Sequence, residues 1–170
     1  MDLYERYGGI CAYSAHWIPP DCGAMTVDHF VPKSAAPHLA YEWDNYRLCT
    51  LEMNRNKGTK EGILDPFVIQ PGWFKMDFPS LQVTAESSLP SATARAVTKT
   101  IKSFKLNDET CVKARYAYLQ DYMGNHRDFY SLSHDAPFLA FELQRQGMAD
   151  REAIKKVMSY DEPYVASALS

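Results

Sequence analysis

Between Gly62 and Pro90 the chain carries Pro66, Pro71, Pro79 and Pro90. A proline inside a helix removes a backbone hydrogen bond and clashes with the preceding turn, so no long helix can cross this stretch. The same stretch holds Phe67, Val68, Ile69, Trp73, Phe74 and Phe78, too much apolar surface for a solvated linker. With Pro71-Gly72 as a turn signal, it reads as hairpin or irregular structure packed against a core. After Pro90 the pattern turns helical. Val97, Ile101 and Phe104 share one face of a helix from about Ser91 to Leu106, and Val112, Tyr116, Leu119 and Met123 share one face of the next. Asn107 or Asp108 is placed to cap that second helix. A third helix is predicted over Pro137–Gln146, stopped by Gly147, and a fourth from Asp150 to Met158.

Upstream of the proline-rich segment the units are shorter. Met25–Val31 is a β-prone run stopped by Pro32, Ser34–His38 is a loop by composition, and Tyr46–Cys49 is a second short strand. Thr50 then suits a helix N-cap, with LEMNRNK following and Gly58 suited to the residue after the helix. The predicted order is strand, loop, strand, short helix. At 170 residues, 46% hydrophobic and 23% charged, the chain has the composition of one compact α+β unit, and no stretch resembles a disordered tail. The opening MDLYERYGGI has charges where a signal peptide needs an apolar core. A cytoplasmic protein with no membrane association is expected. Four cysteines without a CxxC pair then read as reduced thiols. A net charge of −3 argues against a broad basic surface, so any nucleic-acid contact must be local or shared with a partner.

The stretch VDHFVPKSAAPHLAYEWDNYRLCTLEMNRNKG, residues 27–58, carries the chemistry. Hydrolysis of a phosphodiester needs a base for water, a divalent cation to neutralise phosphate charge, and oxygen ligands for that cation. Imidazole is the natural base and carboxylate or amide oxygens suit a hard ion. This division assigns His29 to water, and Asp28 with Asn54 to one Mg²⁺ or Mn²⁺. Adjacent strand residues point to opposite faces, so the Asp28-His29 pair has to sit at a strand end. Asn45 is placed to fix the intervening loop, and hence the imidazole, through its side-chain amide. Lys57, one turn after Asn54, is expected to reach the substrate phosphate. Arg55 and Lys33 are candidates for the same phosphate path, as is Lys60.

The runs VDHFVPKS, WDNYRL and NRNKG together resemble the HNH nuclease family, whose ββα-metal module carries its base and metal in this order. The resemblance implies His29 as general base, Asn45 as the central asparagine, and Asn54 at the third position, where many relatives have histidine. It implies residues 1–64 as the nuclease module, with residues 65–170 as an aromatic segment and helical region packed on it. It also implies metal-dependent cleavage of nucleic acid, DNA first, leaving 5′-phosphate and 3′-hydroxyl ends. CAYSA, residues 11–15, is a weaker upstream match. Many relatives staple the module with zinc through two CxxC pairs, but here the corresponding stretches read Cys11-Ala-Tyr-Ser14 and Cys49-Thr-Leu-Glu-Met53. Four thiolates are not present, which argues against a structural zinc. HLAYEWDNYRL followed by ILDPF further resembles HNH components of bacterial anti-phage systems, often found beside an ATPase. An ATPase or a second copy of the chain is therefore the partner to look for. The competing reading is a nucleic-acid-binding or assembly subunit that keeps the HNH fold and does not cut. His16, His38, His126 and His134 show no matching spacing. Tyr116, Tyr118, Tyr122, Trp73 and Phe74 read as core in preference to a base-stacking platform.

Overall fold

The computed structural model describes residues 2–21 and 24–160; Cys22, read above as a thiol, lies outside them. The fold is α+β, with seven α-helices and two two-stranded antiparallel sheets among the described residues. After a single helical turn α1 (Leu3–Arg6), strand β1 (Met25–His29) pairs with β2 (Tyr46–Thr50) so that Asp28 faces Arg47 and His29 faces Tyr46. Helix α2 (Leu51–Lys57) follows β2 with no loop between them. The Thr50 hydroxyl makes that possible by accepting the Met53 N–H at 3.3 Å, and Gly58, at φ 52°, ends the helix by donating its N–H to the Asn54 carbonyl.

The proline-rich stretch supplies the second sheet, a hairpin of β3 (Phe74–Met76) and β4 (Val83–Ala85). Helix α3 (Ser91–Phe104) buries Val97, Ile101 and Phe104 as predicted. Asn107 is not a helix cap. Its amide accepts from Val83 N–H at 2.7 Å and donates to the Val83 carbonyl at 2.9 Å, pinning the turn after α3 onto β4, and Asp108 takes the cap position of α4 (Glu109–Met123). The predicted stripe on α4 needs correction: Leu119 and Met123 are buried, but Tyr116 is 43% exposed, and the buried face runs instead through Cys111, Arg115, Leu119 and Tyr122. Periodicity misplaces it because an arginine reads as polar wherever it points. Helix α5 (Phe129–Asp135) has no counterpart in the sequence expectations: it is seven residues long and buries only Leu132. Helices α6 (Pro137–Arg145) and α7 (Arg151–Met158) follow, the latter capped by the Asp150 carboxylate on the Ala153 N–H.

One core cluster joins Cys11, Leu48, Cys49 and Met53 of the first unit to Val97 and Phe104 of α3, so residues on both sides of position 64 share it. A second cluster gathers Met76, Leu119, Leu132, Leu139, Leu143 and Ile154, and Phe138 packs against both. Glu142, fully buried on α6, locks that helix to β3 by accepting from Met76 N–H, Arg145 and Gln146. Among the described residues no helix is long and apolar enough to cross a membrane.

Candidate active site

β1 ends at His29, and its last two side chains differ in burial. Asp28 points inward and is 4% exposed, while His29 is half-buried. His29 Nε2 lies 2.9 Å from the Ala40 carbonyl, and the ring meets Tyr46 edge-on at 5.0 Å. A carbonyl can only accept, so Nε2 carries the hydrogen and the neutral ring presents its lone pair at Nδ1. No described residue bonds Nδ1.

Asn45 holds the loop that supplies this acceptor. Its Oδ1 accepts the Val31 N–H at 2.7 Å, and its Nδ2 donates to the carbonyls of Val31 at 3.0 Å and Leu39 at 3.1 Å. One amide thus ties the end of β1 to the turn containing Ala40, and Tyr46 donates its hydroxyl to the same Ala40 carbonyl at 3.0 Å. The imidazole is positioned by this backbone and not by a carboxylate.

Asp28 is saturated. Lys57 Nζ donates to its Oδ1 at 2.9 Å and to the His29 carbonyl at 2.8 Å, and the Tyr13 hydroxyl donates to its Oδ2. Burial, reinforced by the Asp28 charge, pushes Tyr13 far above the usual phenol range, so it remains a donor. Lys57 therefore corrects the sequence expectation. Its side chain is 1% exposed and its ammonium is spent inside the protein, out of reach of a surface phosphate. Lys60, unlike Lys57, is exposed: it donates to the carbonyls of Asn56 and Ser103 and keeps its charge at the surface. Arg55 and Lys33 are both exposed. Asn54 lies on α2 against β1, its Nδ2 donating to Thr26 Oγ1 at 3.2 Å and the Val27 carbonyl at 3.4 Å; its Oδ1 has no partner among the described residues.

Three further groups, to which the sequence assigned no role at the site, complete the surroundings. Tyr13 lies in the CAYSA run. Arg47, 2% exposed, forms a two-point pair with Asp65 at 2.9 and 2.6 Å, donates to the carbonyls of Asp44 and Tyr46, and stacks on Phe67 at 3.9 Å. The signal was present in two strings, WDNYRL and ILDPF, which the structure brings into contact through this pair. Cys11 and Cys49 are free, buried thiols, and burial, then the neighbouring Cys11 and Asp28, pushes Cys49 well above the usual thiol range.

Among the described residues no three of His, Cys, Asp and Glu converge as a metal cage. A cation here would rest on Asp28 and Asn54, with water and substrate completing its shell. The donor chemistry fits a hard ion such as Mg²⁺, which binds through one or two carboxylates and substrate phosphates, and Asn54 Oδ1 is an uncommitted oxygen. The Asp28 charge is already met by Lys57, so ammonium and cation compete for one carboxylate. Compared with family models, curated proteins and solved structures, the chain returns no match.

Proposed function

We propose that this protein is a divalent-metal-dependent endonuclease of the HNH ββα-metal type, acting on DNA and leaving 5′-phosphate and 3′-hydroxyl ends. The observation that carries the reading is His29, an imidazole at a strand end with Nε2 fixed by a backbone carbonyl and Nδ1 left as acceptor. In the reaction His29 Nδ1 takes the proton of the attacking water, and the bond to Ala40 strengthens as the ring becomes cationic. Asn45 keeps the acceptor in place, so the ring does not reorganise as charge develops. A bound divalent cation, held by Asp28 and Asn54, would supply neutralisation of the scissile phosphate. Arg55 and Lys33, and a shallow groove lined by Lys60, Arg95, Lys99 and Lys102, offer local positive charge on a chain of net charge −3. A bacterial anti-phage setting with an ATPase or self-association partner in the cytoplasm belongs to the same proposal.

The engagement of both Asp28 oxygens by Lys57 and Tyr13 favours the second reading, a nucleic-acid-binding or assembly subunit that does not cut. Plasmid DNA incubated with protein and Mg²⁺ or Mn²⁺ separates the two. The nuclease reading expects nicked or linear product that chelator and His29→Ala both abolish, and ends that a ligase rejoins without prior kinase treatment. Cutting that survives both controls removes the mechanism, and binding without cutting under either metal favours the second reading or points to a missing partner.

A further inference from the structure

Arg115 is the one buried cation that lacks a carboxylate partner among the described residues. It is 2% exposed on α4, and its one hydrogen bond among them runs from Nη1 to the Leu81 carbonyl at 2.9 Å. Arg47 and Lys57, by contrast, are each buried against an aspartate, because an uncompensated buried charge is costly. The Nε and Nη2 of Arg115 have no described partner, and neither is sealed by packing. Arg115 lines a cavity of about 340 Å³ whose other walls include Tyr13, Phe74, Val83, Phe104 and Phe138. The titratable groups around it offer no negative charge: burial keeps the Cys111 thiol above its usual range, and burial together with the Arg115 charge holds His16 at about 4, hence neutral.

A concave, mostly apolar space with one convergent charged group is the form of a small-molecule site. We propose that this cavity binds a small amphipathic monocarboxylate, with its carboxylate on Arg115 and its apolar body against the aromatic walls. A single guanidinium matches one negative charge with a planar two-point bond. A phosphate dianion would leave a second charge against apolar walls, which disfavours phosphate esters. The volume admits a body of roughly the size of a phenylalkyl or medium-length alkyl chain. The site does not depend on the nuclease reading, although Tyr13 joins the two places: its ring lines the cavity and stacks on Phe104 at 4.1 Å, and its hydroxyl holds Asp28.

The test is calorimetric titration of the wild-type chain with 4-phenylbutyrate and octanoate, each beside its neutral amide. One-to-one saturable binding is expected, with carboxylate at least about tenfold tighter than amide, the difference a charged hydrogen-bonded pair makes. Arg115→Met is expected to equalise acid and amide; it removes an unpaired buried charge but also the donor to the Leu81 carbonyl, so its melting temperature is measured beside wild type to show that it folds. A readout that needs no variant is the arginine Nε–Hε spectrum of the wild type, in which one side-chain signal must move with the acid and stay with the amide. Absence of saturable binding by either acid, equal affinity for acid and amide in the wild type, or an arginine spectrum indifferent to the acid overturns the proposal.

Discussion

Replacing Lys57 with methionine tests the most constrained interaction in the candidate site. The Lys57–Asp28 pair is 2.9 Å long, with side chains 1% and 5% exposed. At an effective dielectric of about 20 the gross attraction is roughly 6 kcal/mol, most of it offset by desolvation of the two ions. Lys57→Met strands the Asp28 carboxylate and costs about 3–5 kcal/mol, whereas Asp28→Asn with Lys57→Met removes both charges and is expected within about 1–2 kcal/mol of wild type. The amide that replaces the carboxylate can still accept the Tyr13 hydroxyl, which limits the double variant's loss. Urea unfolding of wild type, both single variants and the double variant measures the coupling directly. The same series, repeated with Mg²⁺, tests the competition for Asp28. Lys57→Met leaves the carboxylate open to a cation and is expected to gain stability that the wild type does not, about 2.7 kcal/mol at a hundredfold excess over the dissociation constant. A Lys57→Met protein as stable as wild type would refute the buried-pair reasoning, and one that Mg²⁺ leaves unchanged would remove Asp28 as a ligand.

His29→Ala removes one partly buried hydrogen bond and an edge contact with Tyr46, so it should cost about 1 kcal/mol while plasmid cleavage falls by roughly 10²–10⁴. Asn45→Ala breaks three bonds that join β1 to the Ala40 turn and is expected to cost about 2–4 kcal/mol; cleavage should drop even at temperatures where the variant stays folded, and unchanged cleavage would show that the imidazole does not need the tie. Burial, and then the Arg115 charge, hold His16 at about 4 against 6.5 for the free side chain. The unfolded chain therefore takes up the proton first, and His16 stabilises the fold above pH 6.5 by an amount lost as pH falls toward 4. That loss reaches roughly 3 kcal/mol, and His16→Gln should flatten stability against pH across this window relative to wild type. Arg47→Lys cannot reproduce the two-point bond to Asp65 or the stacking on Phe67 and should cost about 2–4 kcal/mol by thermal unfolding.

The elements were legible where a local rule decides them. Thr50 and Gly58 bound α2, Asp150 caps α7, and the 3.6-residue repeat found the buried face of α3, because caps and periodicity act over a few residues. Local rules failed on α5, too short to show a pattern, and on α4, whose buried face includes an arginine. At the candidate site the sequence brought forward Asp28, His29, Asn45 and Asn54 as residues of the right chemistry. It could not show that Lys57 turns inward, since a lysine one helical turn from an asparagine serves a phosphate or a buried carboxylate equally well.

Sequence alone thus determined the order β1, β2, α2 and the places of α3, α4, α6 and α7, the strand-end place of the Asp28-His29 pair, and the interruption of helix by proline between Gly62 and Pro90. Only tertiary structure decided which charges are neutralised: Asp28 by Lys57, 29 positions away, Asp65 by Arg47, and Arg115 by no carboxylate among the described residues. The physical reason is that backbone conformation follows from neighbours along the chain, whereas the cost of a buried charge depends on what distant segments bring within about 3 Å of it.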